Sequence, residues 1–386
     1  MDLKLFFAPV SEKLASLTDD RNSFLRNIGV YHDKMPDYKS ADIALFGISE
    51  TGDEEANNCI EAPDKVREKL YALKKGYGAY HIVDLGNLKK GIDPTETKAR
   101  LQEVCQNLLE SNTLPVIIGG THDYDYPQYK AYEEIDKLVS FLNVDAFLDM
   151  ETGPDSKDNE RHIQDVLLHE PNYLFSYSHL AYQSYLINRE SIDTLEKLYF
   201  DAYRIGSLRD HIPDMEPVIR DADMISFDIT SIRSSDAPGT VRSQPFGLTG
   251  EEACQICWYA GVNEKLSSIG FYEYAPKLDD DRFKTAAVIS TMVWYFIEGF
   301  YHRKQELNFK SNDYTKYLVS MPGNVPESMV FFKSKLSEKW WMEVPHPDGK
   351  KAYSRNSIVP CSYNDYKMAT NGEIPERYIT TMNKLL

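Results

Sequence analysis

The sequence predicts a three-layer α/β/α fold: an eight-stranded, mostly parallel sheet with helices on both faces, followed by a C-terminal extension. Short, continuous apolar runs recur along the chain, and such runs are typical of strands buried on both faces. Stretches with helical patterning lie between them, and strands that alternate with helices favour a parallel sheet. A third observation predicts the extension, because the alternation ends near residue 305.

Eight candidate strands follow one another along the chain. Each is a short run rich in Val, Ile, Leu and aromatic residues, and eight such runs fit one large sheet better than two small domains. The predicted strands are DIALFGI (42–48), AYHIVDLG (79–86), TLPVIIGG (113–120), LVSFLNVD (138–145), NYLFSYS (172–178), DAYRIGS (201–207), DMISFDI (223–229) and LSSIGFYE (266–273).

Helical patterning is clearest in four of the intervening stretches, 62–75, 96–111, 250–263 and 281–304. The third stretch contains Cys254 and Cys257 in C-x-x-C spacing. It has neither a second such pair nor a nearby histidine, so we expect two core-facing helix cysteines and not a zinc or redox motif.

The tail is rich in Pro, Tyr, Trp and Ser and has short β-like runs without βα alternation. We therefore predict two units, an α/β domain at 1–305 and an extension at 306–386 packed on it. Trp340 and Trp341 in the extension could pin it to the domain, or they could close a pocket at the strand ends.

Composition excludes several partners. The 386 residues include 60 acidic and 43 basic side chains, and the formal charge of −17 argues against nucleic acid and anionic lipid. Five scattered cysteines favour a reducing compartment. The chain lacks a signal-peptide pattern and an apolar run long enough to span a membrane. These features predict a cytoplasmic protein.

Imidazole or carboxylate side chains lie at the ends of four of the predicted strands. His122 follows the third in GGTHD, and Asp145 and Asp149 lie at the end of the fourth in DAFLD. Asp228 ends the seventh in SFDIT, and Glu273 ends the eighth in FYEYAP. Ligands of parallel sheets bind beyond the carboxyl ends of the strands, so these side chains meet there if the strand order allows it.

One imidazole and three carboxylates suit a hard divalent ion such as Mn²⁺ better than a structural zinc. Each motif alone has an ordinary alternative, since Gly-Gly-x-His is usually a turn and a strand-end aspartate usually caps a helix. The four together favour a metal site. Three converging carboxylates repel, so a metal, a proton or a cationic ligand must reside among them, and without a cation at least one pKa should be raised.

The four motifs, in this order, resemble those of the ureohydrolase family, which includes arginase, agmatinase and formimidoylglutamase. The family pattern is G-G-D-H-S, D-A-H-x-D, S-F-D-x-D-x-x-D-P-x-x-A-P-G-T-G and E-x-N-P. This chain reads GGTHD, DAFLD, SFDITSIRSSDAPGT and EYAP, and APDKVREKL (62–70) is similar to the family's G-P-x-x-I-R-x-x-L. The resemblance covers about residues 40–305.

The resemblance implies a three-layer fold with an eight-stranded parallel sheet. It also implies hydrolysis of a guanidino or formimino carbon by a hydroxide that two Mn²⁺ ions share. Family members commonly form trimers or hexamers, which implies a possible homo-oligomer.

Two of the family's six ligand positions differ in this chain. Phe147 stands at the histidine of D-A-H-x-D, and Thr230 stands at the second aspartate of S-F-D-x-D. In the family these two positions serve only the second ion, whereas the other four together ligate the first. The resemblance therefore implies one Mn²⁺-like ion, with Phe147 filling the space of an imidazole. The implied ligands are His122, Asp145, Asp149 and Asp228.

Three further positions bear on catalysis. The resemblance implies that Glu273 pairs with the cationic nitrogen of the substrate, although it could instead cap the turn before Pro276. His169 in LLHEPNYL is close to the family's H-G-x-P segment and is the candidate proton shuttle, with a helix-end surface role as the alternative. His162 is the weaker candidate. Thr121 replaces the aspartate of G-G-D-H-S, which removes an acceptor behind the ligands.

The sequence thus predicts a hydrolase that cleaves a C–N bond in a small linear amidine or guanidine, through a water activated by one divalent ion. Formimidoylglutamate is the favoured substrate, and it implies a place in histidine degradation. The alternative is an inactive relative that binds a metabolite or an assembly partner. The differences at Phe147 and Thr230 favour this alternative, whereas the intact four-ligand set favours the enzyme.

Overall fold

The computed structural model describes most of the chain. The described residues are 2–49, 59–209, 212–321, 323, 326–345 and 358–385.

All eight predicted strands are present in one large sheet. The strands of this sheet are β1 (Phe7–Ala8), β2 (Gly29–Val30), β3 (Ile43–Ile48), β4 (Ile82–Leu88), β5 (Leu114–Ile118), β6 (Val139–Val144), β7 (Leu174–Tyr182), β8 (Asp201–Arg204), β9 (Met224–Asp228) and β10 (Ser268–Tyr272). Their order is β1-β4-β3-β5-β10-β9-β6-β7-β8, and β2 also pairs with β4.

The sheet is parallel except at one edge. Strands β3 to β10 pair in parallel, whereas β1 is antiparallel to β4. The predicted eight-stranded, mostly parallel sheet is therefore confirmed. The two short strands β1 and β2, which lie along the edge of β4, were not predicted.

Burial on both faces explains why the apolar runs form strands. Every residue of β3, β5, β6, β9 and β10 is buried. A strand covered on both faces is stabilised by continuous, not alternating, apolar side chains. The central strands are thus packed on both faces, which supports the side chains at their ends.

Helices connect the strands and include the four that the sequence predicts. They are α1 (Glu12–Ala15), α2 (Ala62–Leu70), α3 (Pro94–Glu110), α4 (Asp125–Glu134), α5 (His162–Leu167), α6 (Arg189–Lys197), α7 (Ile205–Arg209), α8 (Glu216–Arg220), α9 (Gly250–Val262), α10 (Lys284–Tyr301), α11 (Tyr363–Thr370) and α12 (Glu376–Leu385). Capping side chains set where helices begin, as at α9, where Thr249 and Glu252 form a reciprocal capping box.

Helices α9 and α10 approach each other closely at Gly261. A Cβ added there would lie 2.2 Å from the Phe296 carbonyl oxygen and 2.8 Å from the Gly299 Cα, both backbone atoms. We expect Gly261→Ala to lower the free energy of unfolding by about 1–3 kcal/mol, because the helices must move apart. Urea unfolding measures this change.

Gly250→Ala is the matched control, since its added Cβ would meet its nearest neighbour, a Val288 methyl, at 3.6 Å. Its stability should stay unchanged or rise slightly. Equal losses in the two variants would contradict the packing argument.

The extension contains a second, antiparallel sheet. Its strands are β11 (Tyr314–Ser320), β12 (Ser328–Ser334), β13 (Trp340–Glu343) and β14 (Ile358–Cys361), paired in that order. The short β-like runs in the tail are thus strands. Helices α11 and α12 were not predicted, although Ser362 and Asp365 form a capping box that marks the start of α11. The predicted boundary between residues 305 and 306 stays a prediction.

Trp340 and Trp341 join the extension to the α/β body. The Arg220 guanidinium lies 4.2 Å from the Trp341 ring centre, and its Nη2 donates to the Trp340 carbonyl oxygen at 3.0 Å. Arg220 ends α8, directly before β9. The contact therefore lies at the amino ends of the strands, so the tryptophans pin the extension and do not cover the carboxyl ends.

Two other expectations can be compared with the described residues. Cys254 and Cys257 are both buried in α9, as expected for core-facing helix cysteines. Over the part of the chain that the structure describes, none of the helices has the length and apolar character needed to cross a membrane.

Candidate metal centre

The four strands that carry the predicted site residues are neighbours at the centre of the sheet, in the order β5-β10-β9-β6. Because they are parallel, their carboxyl ends lie at one edge. His122 lies just after β5, Glu273 follows β10, Asp228 ends β9 and Asp145 follows β6. These side chains and that of Asp149 are all buried. The strand order thus brings together the residues that the sequence left dispersed.

The His122 imidazole lies at the centre of the three aspartates. Its Nδ1 is 3.2 Å from Asp145 Oδ2, 3.2 Å from Asp228 Oδ2 and 3.8 Å from Asp149 Oδ2. Among the described residues, His122 Nδ1, Asp145 Oδ2 and Asp228 Oδ2 are buried atoms without a hydrogen-bond partner. Buried polar atoms are normally paired, so three such atoms facing one another indicate a ligand site.

The fold holds the other oxygen of two carboxylates. Asp145 Oδ1 accepts hydrogen bonds from the Phe147 amide at 3.1 Å and from Thr230 Oγ1 at 2.9 Å. Asp228 Oδ1 accepts one from the Thr230 amide at 2.6 Å. Each carboxylate is therefore oriented so that its unpaired oxygen faces His122.

These distances fit one divalent ion. Two ligand atoms that bind an octahedral ion at right angles, with bonds of about 2.1 Å, lie roughly 3 Å apart. The 3.2 Å separations of His122 Nδ1 from Asp145 and Asp228 are close to that value. A buried His/Asp cluster able to hold a divalent metal is thus present at the predicted edge.

Electrostatics also indicate that the cluster needs a cation. Burial, together with the nearby Asp228 and Asp149 carboxylates, raises the pKa of Asp145 to about 8. Burial alone would lower the pKa of His122, but the nearby carboxylates of Asp145, Asp149 and Asp228 hold that pKa well above its ordinary value. The raised pKa of Asp145 agrees with the expectation for converging carboxylates, and a divalent ion would offset both the burial of Asp145 and the negative charges of its neighbours.

Arg242 is a site residue that the sequence reading missed. Its Nη1 donates to Asp149 Oδ1 at 2.9 Å and its Nη2 to Asp149 Oδ2 at 3.2 Å, and Nη2 lies 3.7 Å from Asp228 Oδ2. Burial opposes ionisation of Asp149, but Arg242, with His122 and His162, holds the pKa of that carboxyl well below its usual range. The Phe147 ring lies 4.2 Å beneath the guanidinium carbon.

His162 lies in the cluster, although the sequence made it the weaker histidine. Its Nε2 is 3.4 Å from Asp149 Oδ2, and its Nδ1 is 2.8 Å from Asp125 Oδ1. One potential ligand atom from each of His122, Asp145, Asp149 and His162 lies within 4.8 Å of the others. A carboxylate behind an imidazole is the usual support for a metal-binding histidine.

The structure does not bring His169 into this cluster. Its Nδ1 lies 2.9 Å from the Tyr126 hydroxyl, and its Nε2 lies 2.8 Å from Glu133 Oε2. Both partners belong to α4. A proton-shuttle role for His169 stays a prediction, and the contacts favour His162 as the histidine that serves the site.

Glu273 is buried at the end of β10, with its backbone in the left-handed region at φ 65°. Its Oε1 accepts hydrogen bonds from the His122 amide and from Asn159 Nδ2, each at 2.9 Å. Burial, followed by the Asp228 charge, raises its pKa. A left-handed conformation is uncommon for a non-glycine residue and is often found at functional sites.

The missed residues gave weak signals. Arg242 lies two positions after the matched DAPGT stretch, and the negative charge of three aspartates favours a nearby cation, but neither feature singles out this arginine. Asp125 and Ser226 could be recognised only from the structure, since Ser226 Oγ lies 2.7 Å from His122 Nε2. That contact orients the His122 ring through the nitrogen that faces away from the aspartates. Thr121, which replaces the family's aspartate, has no carboxylate for such a role.

We expect His162→Gln to weaken Mn²⁺ binding by about 10–100-fold, because the variant loses an imidazole supported by Asp125. His169→Gln is the matched control and should bind Mn²⁺ like the unaltered chain, since its contacts lie on α4. Isothermal titration calorimetry measures both. Equal affinities in the two variants would contradict the placement of His162 at the site.

Comparison with known proteins gives concordant results. The family model described as Arginase family matches residues 41–298. Among curated proteins, the chain is similar to the formimidoylglutamase of Streptococcus gordonii, at 24% identity over 260 residues, which are 62% of this chain and 77% of that protein.

Solved structures share the fold. The chain is similar to a Trypanosoma cruzi formiminoglutamase crystallised with Mn²⁺, with a TM-score of 0.63 and 19% identity over 69% of this chain and 96% of that one. It is also similar to the formimidoylglutamase of Bacillus subtilis, with a TM-score of 0.64 and 19% identity over 74% of this chain and 94% of that one. In each case the likeness is one of fold.

Proposed function

Because this chain belongs to the arginase family of metal-dependent hydrolases, we propose that it hydrolyses a small linear amidine, with formimidoylglutamate as the favoured substrate, and that it uses one Mn²⁺-like ion. The observation that carries the proposal is the set of three buried atoms that face one another without hydrogen-bond partners, His122 Nδ1, Asp145 Oδ2 and Asp228 Oδ2. The substrate class rests on the formimidoylglutamases to which the chain is similar.

The residues that would hold the ion are His122, Asp145, Asp149 and Asp228, with His162 beside them. His122 presents Nδ1 to the ion when its Nε2–H donates to Ser226 Oγ, 2.7 Å away. His162 presents Nε2 when its Nδ1–H donates to Asp125 Oδ1. Both imidazoles are thus oriented by an acceptor on the far ring nitrogen.

A divalent ion supplies, when bound, the Lewis acidity that lowers the pKa of a water to near neutrality. The three carboxylates are held in fixed orientations, because Asp145, Asp149 and Asp228 are buried and at least one oxygen of each accepts a hydrogen bond. In the proposed reaction the water oxygen bonds to the formimino carbon. Both water protons pass to the amino-acid nitrogen of the protonated amidine, the bond from the carbon to that nitrogen breaks, and the products are formamide and glutamate with its amino group protonated.

Glu273 is the proposed substrate-orienting residue. The His122 amide and Asn159 fix its Oε1, so the carboxylate has one orientation before substrate arrives. A carboxylate so fixed can accept a charge-assisted hydrogen bond from a protonated amidine nitrogen. Glu273→Gln should therefore lower kcat/KM by about 10–150-fold, as removal of one such charged hydrogen bond costs roughly 1.5–3 kcal/mol.

The test is a product assay on protein loaded with Mn²⁺ and freed of excess metal. Formimidoylglutamate, agmatine and arginine are offered separately, and formamide, glutamate and urea are measured. The proposal expects glutamate and formamide from the first substrate, no more than slow urea release from the other two, and no turnover after chelation of the ion. Faster turnover of a guanidine would contradict the substrate assignment. The absence of any turnover by the loaded protein would favour the inactive alternative.

A further inference from the structure

A fixed positive charge lies among the aspartates, beside the position that the four ligands leave for an ion. We propose that the Arg242 guanidinium takes the place of a second metal ion in this site. This inference rests on the proposed one-ion site and explains why that site binds a single ion.

The contacts of Arg242 are those of a built-in cation and not of a surface side chain. Its two terminal nitrogens donate to both oxygens of Asp149, and one of them approaches Asp228 Oδ2 at 3.7 Å. Only 20% of the side chain is exposed. A bidentate guanidinium fixes both the position and the orientation of a carboxylate.

Phe147 and Thr230 complete the replacement. Phe147 offers no ligand atom, and its ring packs against the guanidinium at 4.2 Å, which is the geometry of a cation–π contact. Thr230 Oγ1 donates a hydrogen bond to Asp145 Oδ1, with 2.9 Å between the two oxygens. The side chains at the two positions that serve a second ion in the family therefore support the arginine and Asp145 instead.

One ion and one arginine balance the charges of the three aspartates, and the buried Glu273 remains to pair with a cationic substrate. Asp145, Asp149 and Asp228 carry three negative charges when ionised, and a divalent ion with a guanidinium carries three positive charges. A second divalent ion beside Arg242 would leave a positive excess in a buried pocket, and it would meet an apolar ring at Phe147 and a neutral hydroxyl at Thr230. The donor set therefore fits the first ion and does not fit a second.

The first test restores the missing ligands with and without the arginine. Phe147→His/Thr230→Asp supplies an imidazole and a carboxylate but keeps Arg242, whereas the triple variant also carries Arg242→Ala. Manganese per chain is measured by elemental analysis, and electron paramagnetic resonance of the bound Mn²⁺ distinguishes isolated from coupled ions. We expect one isolated ion in the double variant and two coupled ions in the triple variant.

Arg233→Ala in the double-variant background is the matched control. Arg233 lies on the same loop but pairs at the surface with Asp236 at 3.0 Å, so its removal should leave one ion. Two ions in the double variant, or one in the triple variant, would overturn the inference. The manganese content of the unaltered chain separates the two proposals. If the unaltered chain binds no ion, the proposed function is contradicted. If the unaltered chain binds one ion and the double variant binds two, only the role proposed for Arg242 is contradicted.

A second test does not depend on building a new metal site. Arg242→Ala leaves a cavity of guanidinium shape above Phe147, so methylguanidinium should raise the melting temperature of the Mn²⁺-loaded variant. Its affinity for the unaltered chain should be at least tenfold weaker. Tetramethylammonium carries the same charge without N–H donors and should have no effect on either. Equal binding of methylguanidinium to both proteins, or no binding to the variant, would overturn the inference.

Discussion

Asp228→Asn is expected to abolish stoichiometric Mn²⁺ binding and, with it, hydrolysis. Asp228 ends β9 at the centre of the sheet, and its Oδ2 is a buried atom without a partner, 3.2 Å from His122 Nδ1. The amide keeps the size of the side chain but removes a charge from the ligand set. Loss of a residue that only hydrogen-bonds to a metal ligand weakens metal binding by about 10–100-fold. Loss of a ligand itself should therefore weaken Mn²⁺ binding by more than about 100-fold.

Elemental analysis and the product assay together measure this effect. Asp221→Asn is the matched control, because Asp221 lies just before β9, at the opposite end of the strand, and pairs with Lys265 at the surface. The control should keep its ion and its activity. An Asp228→Asn protein that retains one ion per chain at unchanged affinity would contradict the assigned ligand set.

Arg67→Met is expected to lower the free energy of unfolding by about 3–5 kcal/mol, more than the other stability variant proposed above, Gly261→Ala. Arg67 is buried in α2, and its Nε and Nη2 donate to the two oxygens of Asp84 at 2.8 and 2.9 Å. It also donates to the Gly86 carbonyl oxygen. Methionine fills much of the same volume but leaves Asp84 as a buried carboxylate without its cation.

Urea unfolding checks this prediction against Arg100→Met. Arg100 pairs with Glu96 along α3, where both side chains are partly exposed, so its loss should cost less than about 1 kcal/mol. The double variant Arg67→Met/Asp84→Leu should recover part of the loss, because the unpaired charge is removed. A loss in Arg67→Met no larger than that in Arg100→Met would show that the buried pair does not stabilise the fold.

The strands were predictable because continuous apolar runs in the sequence indicate strands that are buried on both faces. A continuous apolar run such as IALFGI in β3 has few alternatives to a strand covered on both faces. The order of the strands was not predictable from such runs, since it depends on how distant elements pack. Convergence of His122, Asp145, Asp228 and Glu273 follows from the order β5-β10-β9-β6 and could only be assumed beforehand.

Long-range pairing also explains what the sequence did not reveal at the site. Arg242 and Asp149 are 93 residues apart, and no local pattern connects them. In the sequence, His169 resembles the family's histidine because it lies close to a proline, and His162 does not. The role of His162 depends instead on its contacts with Asp125 and Asp149, which are visible only in the structure. Helices α11 and α12 span only 8 and 10 residues and follow a β-rich stretch, so each offers little helical periodicity to recognise.

The central claim is that this site holds one divalent ion, and the manganese content of the unaltered protein tests it most directly. The chain is loaded with excess Mn²⁺, freed of unbound metal and analysed for manganese per chain. The ligand set of His122 with three aspartates, beside the Arg242 guanidinium, predicts one ion. Two ions per chain, or none, would contradict the account.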